Sequence, residues 1–290
     1  PSIKDIIRLA HPKPERDSER DHLLRWAADV KNKEGNSTYQ YSKLPQKVRA
    51  LIEFRELQKG QDTNEEIKDR KIELIKSGWL PHEALLGQKQ LSEDEWLALS
   101  QHMPYMATLR NLNNFYKHNV LKNKAVTDVI AEKLGNKEAV ERVKQFPYRF
   151  LTAYLEAEPV IPQTIKNALG SALDVSTMNV PLIEGNVIVA TDVSGSMGSP
   201  VSAQSRVRYV DVASLVASVI KRKNPDTKLL AYNTMAWEVN LDASDTVITN
   251  TNKVRALLRG GTDMSQPFKY ILDNGLAKDL TLFVGVTDNE

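Results

Sequence analysis

Residues 186–198 of the chain, NVIVATDVSGSMG, decide the fold. The run from Asn186 to Ala190 is almost wholly apolar and β-branched, which is typical of a strand buried on both faces of a sheet. A glycine- and serine-rich loop follows it, and helical spacing then runs from Ser202 to Lys221. The stretch therefore predicts a strand–loop–helix unit of an α/β sheet.

The C-terminal side continues this pattern. Strands are predicted at Lys228–Tyr232, Trp237–Asn240 and Leu280–Val286, with helices near 251–259 and 265–275. Strands that alternate with helices favour an open, mostly parallel α/β sheet over residues 181–290.

The N-terminal side, residues 1–180, has apolar residues at helical spacing and few strand-like runs, so we expect it to be all-α. Short helices joined by short loops favour antiparallel pairs stacked as a solenoid. After a first helix that ends at Pro12, helices are predicted at 18–30, 45–58, 63–76, 92–101, 104–118, 122–133, 137–144, 147–156 and 161–176.

Composition sets few limits on function. The helical part carries a net charge of +3 and the sheet part −1, so no polyanionic partner follows from charge alone. The chain has no cysteine, which excludes disulfides and thiolate metal sites and suits a reducing compartment. The opening residues are charged and no long apolar run occurs, so we expect a soluble, cytoplasmic protein without a membrane span.

The loop after the first strand offers ligands for a metal ion. Asp192, Ser194 and Ser196 supply one carboxylate and two hydroxyls, hard oxygen ligands that suit Mg²⁺ or Mn²⁺. Gly195 is expected to let the backbone turn tightly between the two serines. On these residues alone, an ordinary serine-rich turn is an equally good interpretation.

Two further loops should reach the same edge, because ligands of open α/β sheets bind at the carboxyl ends of the strands. Gly260-Gly261-Thr262-Asp263 precedes a helix, and Thr287-Asp288 ends the last strand. Asp263 is better explained as the N-cap of the following helix.

The three loops, in this order, resemble those of von Willebrand factor A (vWA) domains. The resemblance implies that five residues hold one metal, some through water, at a metal-ion-dependent adhesion site: Asp192, Ser194, Ser196, Thr262 and Asp288. Such sites often leave a coordination position open for a carboxylate of a partner protein.

Stretches of the helical half are similar to the TROVE module of Ro ribonucleoprotein autoantigens, which is also followed by an A domain. They are IKDIIRLAHPKP at 3–14, MPYMATLRNLNNF at 103–115, FPYRFLTAY at 146–154, and the run from Ile161 onward. The resemblance implies a ring of HEAT-like repeats closed by the A domain. It implies Y RNA or another small structured RNA on the outer surface, single-stranded 3′ ends of misfolded RNA in the hole, and an exoribonuclease or other carboxylate-presenting protein at the metal site.

Two groups of residues are candidates for RNA contacts. Arg8, His11 and Lys13 cluster around the end of the first helix, where they could bind a phosphate or merely complement the helix dipole; the family resemblance favours RNA. Further along, a polar row on an otherwise apolar helix could contact bases or the adjacent repeat. This row comprises Arg110, Asn111, Asn113 and Asn114. Trp26, Trp79 and Trp96 are expected to pack in the protein rather than stack on bases.

The chain departs from the family at both ends. Full members carry further repeats before the HPKP-like segment, and their sheets continue beyond the equivalent of residue 290. We therefore expect the A domain to be incomplete at its C-terminus, with Leu280–Val286 unpaired on one side.

Other functional classes have less support. No nucleophile elbow, HExxH pair or P-loop is present, so catalysis is not expected. A metal-dependent nuclease would need a second carboxylate cluster. The main alternative is a protein-binding A domain, of an adhesion or chaperone-adaptor kind, on a helical scaffold that does not bind RNA.

Overall fold

The computed structural model describes residues 3–59, 64–78, 80, 82–86, 91–157 and 159–288, except the side chain of Arg8. Within the chain, two compact units are found, residues 1–103 and 104–290, and each is considered by itself. Trp79 lies outside the described residues.

The first unit is helical. Helix α6 begins at a capping box in which Ser92 and Glu95 satisfy each other's backbone amides. Trp96 on this helix is 2% exposed, which confirms that it packs in the core. The helices are α1 (Ile3–Ala10), α2 (Glu19–Ala27), α3 (Gln46–Lys59), α4 (Glu65–Gly78), α5 (His82–Leu86) and α6 (Glu93–His102).

The second unit begins with six helices, of which α12 contacts α9, α10 and α11. The predicted single helix at 104–118 is in fact two, because the backbone changes direction at Asn111. The Asn111 side chain donates to the Ala107 carbonyl at 2.9 Å, so it competes with the helix's own hydrogen bonds. These helices are α7 (Tyr105–Arg110), α8 (Leu112–Lys117), α9 (Lys124–Gly135), α10 (Lys137–Val143), α11 (Pro147–Glu156) and α12 (Gln163–Ser176).

A four-stranded sheet completes this unit, with strand order β3-β2-β1-β4. Strand β1 is parallel to β2 on one side and to β4 on the other, and β3 pairs antiparallel with β2. The elements, in chain order, are β1 (Asn186–Asp192), α13 (Tyr209–Lys223), β2 (Lys228–Tyr232), β3 (Ala236–Glu238), α14 (Val247–Arg255), α15 (Gln266–Asp273) and β4 (Leu280–Val286).

Strand β1 is buried on both faces, as its sequence predicts. Val187 and Val189 pack in one cluster with Ala217 of α13, whereas Ile188 and Ala190 pack in a second cluster with Ile271 of α15. The predicted fold class, helices followed by a mostly parallel α/β sheet, is confirmed.

Several predicted bounds were wrong. Helix α13 begins at Tyr209 rather than Ser202, because residues 199–208 form a loop closed by a bridge between Pro200 and Arg208. The short helix α5 was not predicted. Helix α14 begins four residues before its predicted start, where the Thr246 hydroxyl caps it.

The last helices before the sheet are joined to it by charged contacts. The Asp174 carboxylate of α12 accepts a hydrogen bond of 2.8 Å from the Val247 amide, at the first residue of α14. Its same oxygen lies 3.9 Å from the Arg222 guanidinium of α13. One carboxylate therefore caps one sheet helix and pairs with another.

Replacing Asp174 tests this junction. We expect Asp174→Ala to lower the free energy of unfolding by about 1–2 kcal/mol, because the first amide of α14 loses its acceptor. Asp174→Asn should cost less, since its amide oxygen can still accept. Urea unfolding of the variants measures both, and unchanged stability in Asp174→Ala would contradict the capping role.

Candidate functional site

The carboxyl ends of β1, β2 and β4 meet at one edge of the sheet. Asp192 pairs in register with Tyr232 of β2, and the preceding Thr191 pairs with Val286 of β4. The Val193 amide extends the pairing by donating to the Tyr232 carbonyl at 2.9 Å. Loops that follow these strands therefore converge on Asp192.

Asp192 is a fully buried carboxylate, 0% exposed. One oxygen accepts from the Ser194 amide at 2.8 Å, and the other accepts from the Thr287 hydroxyl at 2.9 Å. Among the described residues, no lysine, arginine or histidine lies within ion-pair distance of it. Buried charges are normally paired or bound to a metal, so this carboxylate lacks the partner that burial requires.

The two serine hydroxyls of the loop lie beside each other, with Ser194 Oγ 3.2 Å from Ser196 Oγ. Ser194 is 1% exposed, whereas Ser196 is half-buried. Gly195, between them, has an ordinary right-handed backbone, φ −60°, so this turn does not need the conformational freedom of glycine. A glycine suits this position because a Cβ would lie only 3.2 Å from the Gly260 carbonyl oxygen, which accepts from the Gly195 amide at 2.8 Å.

The second loop is held against the first by backbone contacts and by Asn233. The Asn233 side-chain amide donates to the Arg259 carbonyl at 3.1 Å, and the Asn233 backbone carbonyl accepts from the Asp263 amide at 2.9 Å. Gly260 adopts φ +78°, which other residues rarely tolerate. Thr262 lies exposed in this loop, and its hydroxyl forms no hydrogen bond with other described residues.

The third loop supplies Thr287 and Asp288, both half-buried. Burial, together with the nearby charges of Asp192 and Asp288, raises the pKa of Tyr232 to about 12. Tyr232 therefore lies among the acidic groups of the site and stays neutral at physiological pH.

Asp263 contacts its own turn rather than the other loops. Its carboxylate accepts from the Ser265 hydroxyl and the Gln266 side chain, each at 2.6 Å, and from the Ser265 amide at 2.9 Å. These hydrogen bonds lower its pKa from 3.8 to about 2. The ionised carboxylate therefore stabilises the turn above about pH 4, and this stabilisation is lost as the pH falls toward 2 and the carboxylate is protonated. The N-cap of α15 is Ser265, so the predicted cap position was wrong although Asp263 does brace the helix start.

The donor set fits a small hard cation. Among the described residues, no three histidine or carboxylate side chains group closely enough to hold a metal ion by themselves. An ion at this edge would therefore have hydroxyl ligands, from Ser194, Ser196 and Thr262, beside the charges of Asp192 and Asp288. Oxygen ligands of this kind suit Mg²⁺ or Mn²⁺.

Sequence reasoning missed three contributors: Thr287, Asn233 and Tyr232. Thr287 holds the buried carboxylate, and Asn233 fixes the second loop. A signal for Asn233 was present, because it directly follows the predicted strand β2 and must lie at the same edge as Asp192.

The first group of predicted RNA residues lies at the end of α1, in the first unit. His11 is exposed and has φ 42°, an uncommon conformation outside glycine. Lys13 is exposed and forms no ion pair with other described residues. The side chain of Arg8 lies outside the described atoms.

The second group of predicted RNA residues, on α7, α8 and the residue between them, consists of one exposed arginine and three asparagines. Arg110 is exposed and unpaired among the described residues, whereas Asn111 is 5% exposed. Asn114 donates to the Asn111 side chain at 2.8 Å, and Asn113 donates to the Glu156 carbonyl at 2.8 Å. The amides therefore serve the packing of α7, α8 and α11 in this conformation, and their role in RNA binding stays a prediction.

Comparison with known proteins agrees with both halves of the chain. A family model described as the Ro60 vWA domain matches residues 186–290, and one described as the TROVE domain matches residues 81–170. The class of protein is thus a TROVE helical module followed by a vWA domain. The segment at 3–14 lies before the TROVE match.

Two relatives that are similar in sequence to this chain share one name. "RNA-binding protein RO60" of Deinococcus radiodurans is 28% identical over 196 residues, which cover 63% of this chain and 36% of the relative. The protein of that name from Caenorhabditis elegans is 26% identical over 332 residues, covering 100% of this chain and 51% of the relative. The predicted relationship of this chain to the TROVE-module Ro family is confirmed.

A solved structure shares the fold. The crystal structure of the Deinococcus radiodurans Ro (RSR) protein superposes with a TM-score of 0.74 at 23% identity, over 99% of this chain and 57% of that one. The chain thus spans about half the length of this structure and of the C. elegans relative, and the part of it that aligns with the D. radiodurans sequence covers about a third of that relative. No helix among the described residues is long and apolar enough to cross a membrane.

Because the Asp192 carboxylate is buried with no cation beside it among the described residues, we expect the free energy of unfolding to depend on a bound metal ion. Mg²⁺ at about a hundred times its Kd should stabilise the wild-type chain by about 2.7 kcal/mol. Asp192→Asn should remove this response without unfolding the apo-protein, because the amide preserves the shape and removes an uncompensated charge.

Thermal melts with and without Mg²⁺ measure the effect, and Asp263→Asn serves as the matched control that keeps the response. An equal Mg²⁺ shift in Asp192→Asn would refute the assignment of this residue.

Proposed function

We propose that this chain is part of an RNA-binding scaffold protein, with a divalent-metal site on its vWA domain for a partner protein. The observation that carries the proposal is the C. elegans relative, which aligns with the whole chain and is named an RNA-binding protein. The proposed role is binding rather than catalysis, and the cytoplasm is the proposed compartment, because a chain without cysteine suits a reducing environment.

The proposed ligands are Y RNA or other small structured RNA, and single-stranded 3′ ends of misfolded RNA. Support comes from the family resemblance and from exposed cations without carboxylate partners among the described residues, such as Lys13 and Arg110. Free guanidinium and ammonium groups are what phosphate oxygens bind. His11 and Arg8 belong to the same proposed surface as Lys13.

Lys13 gives the proposal a quantitative test. Each lost phosphate contact should reduce the slope of log affinity against log salt by roughly 0.7 to 0.9. We therefore expect Lys13→Ala and Arg110→Ala each to weaken binding of a small structured RNA and to flatten this slope, in filter-binding measurements over a range of salt.

The matched control is Lys253→Ala in the vWA domain, whose ammonium is paired with Asp245 at 2.6 Å. It should leave the slope unchanged. The proposal fails if wild-type protein binds RNA with no salt dependence, or if the Lys253 substitution alone flattens the slope.

For the metal site, the proposed cofactor is Mg²⁺ or Mn²⁺, held by Asp192, Ser194, Ser196, Thr262 and Asp288. The bound ion would supply a positive charge with an open position for a carboxylate of the partner, an exoribonuclease or another protein. The chain's own part is to hold the loops rigidly: Asn233 and Gly260 fix the second loop, and Thr287 fixes Asp192.

The alternative function is a metal-dependent protein-binding module without RNA binding, and the uncompensated Asp192 is the observation that favours it. The two functions separate under a chelator. EDTA should abolish carboxylate-mediated protein capture, whereas RNA binding through lysine and arginine should persist and respond to salt instead.

A further inference from the structure

A cavity of about 220 Å³ opens between α7–α8 and α11. Its floor is apolar, because Leu109, Leu112 and Ala157 are buried there. Two small residues, Ala153 on α11 and Ala157 directly after it, leave the gap that larger side chains would close. A cavity of this size is below the range of drug-sized ligands but suits one planar ring.

Two arginines line the cavity, Arg110 of α7 and Arg149 of α11. Both are exposed, and neither guanidinium forms a hydrogen bond or ion pair with another described residue. This contrasts with Arg208, Arg222 and Arg255, which all lie near carboxylates. A planar guanidinium without a protein partner offers a fork of donors for phosphate and a face on which a base can stack.

Glu156 lies at the same cavity and gives it an acceptor. Its Oε1 is occupied by the Ser205 hydroxyl at 2.6 Å and by the Arg206 amide at 2.8 Å. These bonds fix the carboxylate in place, while Oε2 forms no hydrogen bond with the described residues. A fixed carboxylate oxygen beside an apolar floor accepts from an amino group, such as that of cytosine, and repels the carbonyl that uracil carries at the same ring position.

From these features we propose that the cavity is a nucleotide-binding subsite for single-stranded RNA. The base enters against Leu109 and Leu112 with its amino group toward Glu156, and the phosphate binds Arg110 and Arg149. This inference rests on the proposed RNA-binding function and adds to it a location, a residue not previously considered, Arg149, and a preference for amino-bearing bases.

The test uses fluorescence anisotropy of the full chain with labelled oligocytidine and oligouridine of about ten nucleotides, a length within the range of single-strand binding sites. The bases of the two probes have rings of the same size, and they differ at the ring position where cytosine has an amino group and uracil has a carbonyl. Oligocytidine should bind roughly five- to ten-fold more tightly to wild type, at the lower end of the discrimination that base-edge contacts give.

Arg149→Ala should weaken oligocytidine binding roughly ten-fold, as expected for a charge-assisted hydrogen bond. Ala153→Leu, which fills the cavity and keeps both arginines, should also weaken it while leaving the salt slope unchanged. Arg142→Ala is the matched control, since this exposed arginine of α10 lies outside the cavity. Thermal melts verify that each variant is folded, and Arg149, being exposed, can be replaced without loss of core packing.

Three outcomes would overturn the subsite: equal affinity for the two oligonucleotides, no effect of Arg149→Ala, or Arg149-dependent binding of an aspartate-rich peptide in place of RNA. If structured RNA still binds in a Lys13-dependent manner, the proposed function survives that failure. If the chain binds no RNA at low salt, both the subsite and the proposed RNA-binding function are refuted.

Discussion

The burial of the Asp192 carboxylate without a cation is the constraint on which the vWA half of this chain depends. The same unit contains a second buried carboxylate, Asp211, which is 0% exposed and lies 3.2 Å from Arg208 and 3.1 Å from Arg255. Asp211 is thus compensated within the protein, whereas Asp192 accepts from the neutral groups of Ser194 and Thr287 and has no cation beside it among the described residues. This difference between two buried acids in one unit marks Asp211 as structural and Asp192 as a site.

Much of the fold follows from a few stretches of sequence. The bounds of β2 and β4 agree with their predicted strands, because each is a short apolar run between polar residues. The convergence of three loops on Asp192 also follows from sequence, since parallel strands end at one edge.

Other features depend on contacts that no local pattern encodes. Asn111 is a polar residue in a predicted helix, and its sequence position alone does not show which way its side chain points. The side chain points inward because it donates to the Ala107 carbonyl and accepts from Asn114. Gly195 was interpreted through its backbone freedom, although its role depends on the approach of Gly260 from a distant loop. Residues 202–208 have the spacing of a helix, yet the Glu156 carboxylate holds Ser205 and Arg206 in a loop.

The contacts of Glu156 and Asp174 explain why α11 and α12 belong to one compact unit with the sheet. Glu156 binds the loop that follows the DVSGSMG segment, and Asp174 caps α14. The family models divide the chain by ancestry, whereas these carboxylates bind the end of the helical module to the vWA domain. Two chemistries are thereby held side by side, exposed arginines that suit phosphate and a hydroxyl-rich edge that suits a cation.

The most direct test of the metal site is to locate the ion itself. Crystals of the protein grown with Mn²⁺ and measured near the manganese absorption edge should show one anomalous peak at the carboxyl edge of β1. The peak should lie within bonding distance of the Ser194 and Ser196 hydroxyls, about 2.0–2.2 Å, as for a small octahedral cation. A manganese peak elsewhere, or none at this edge with the loops ordered, would contradict the account.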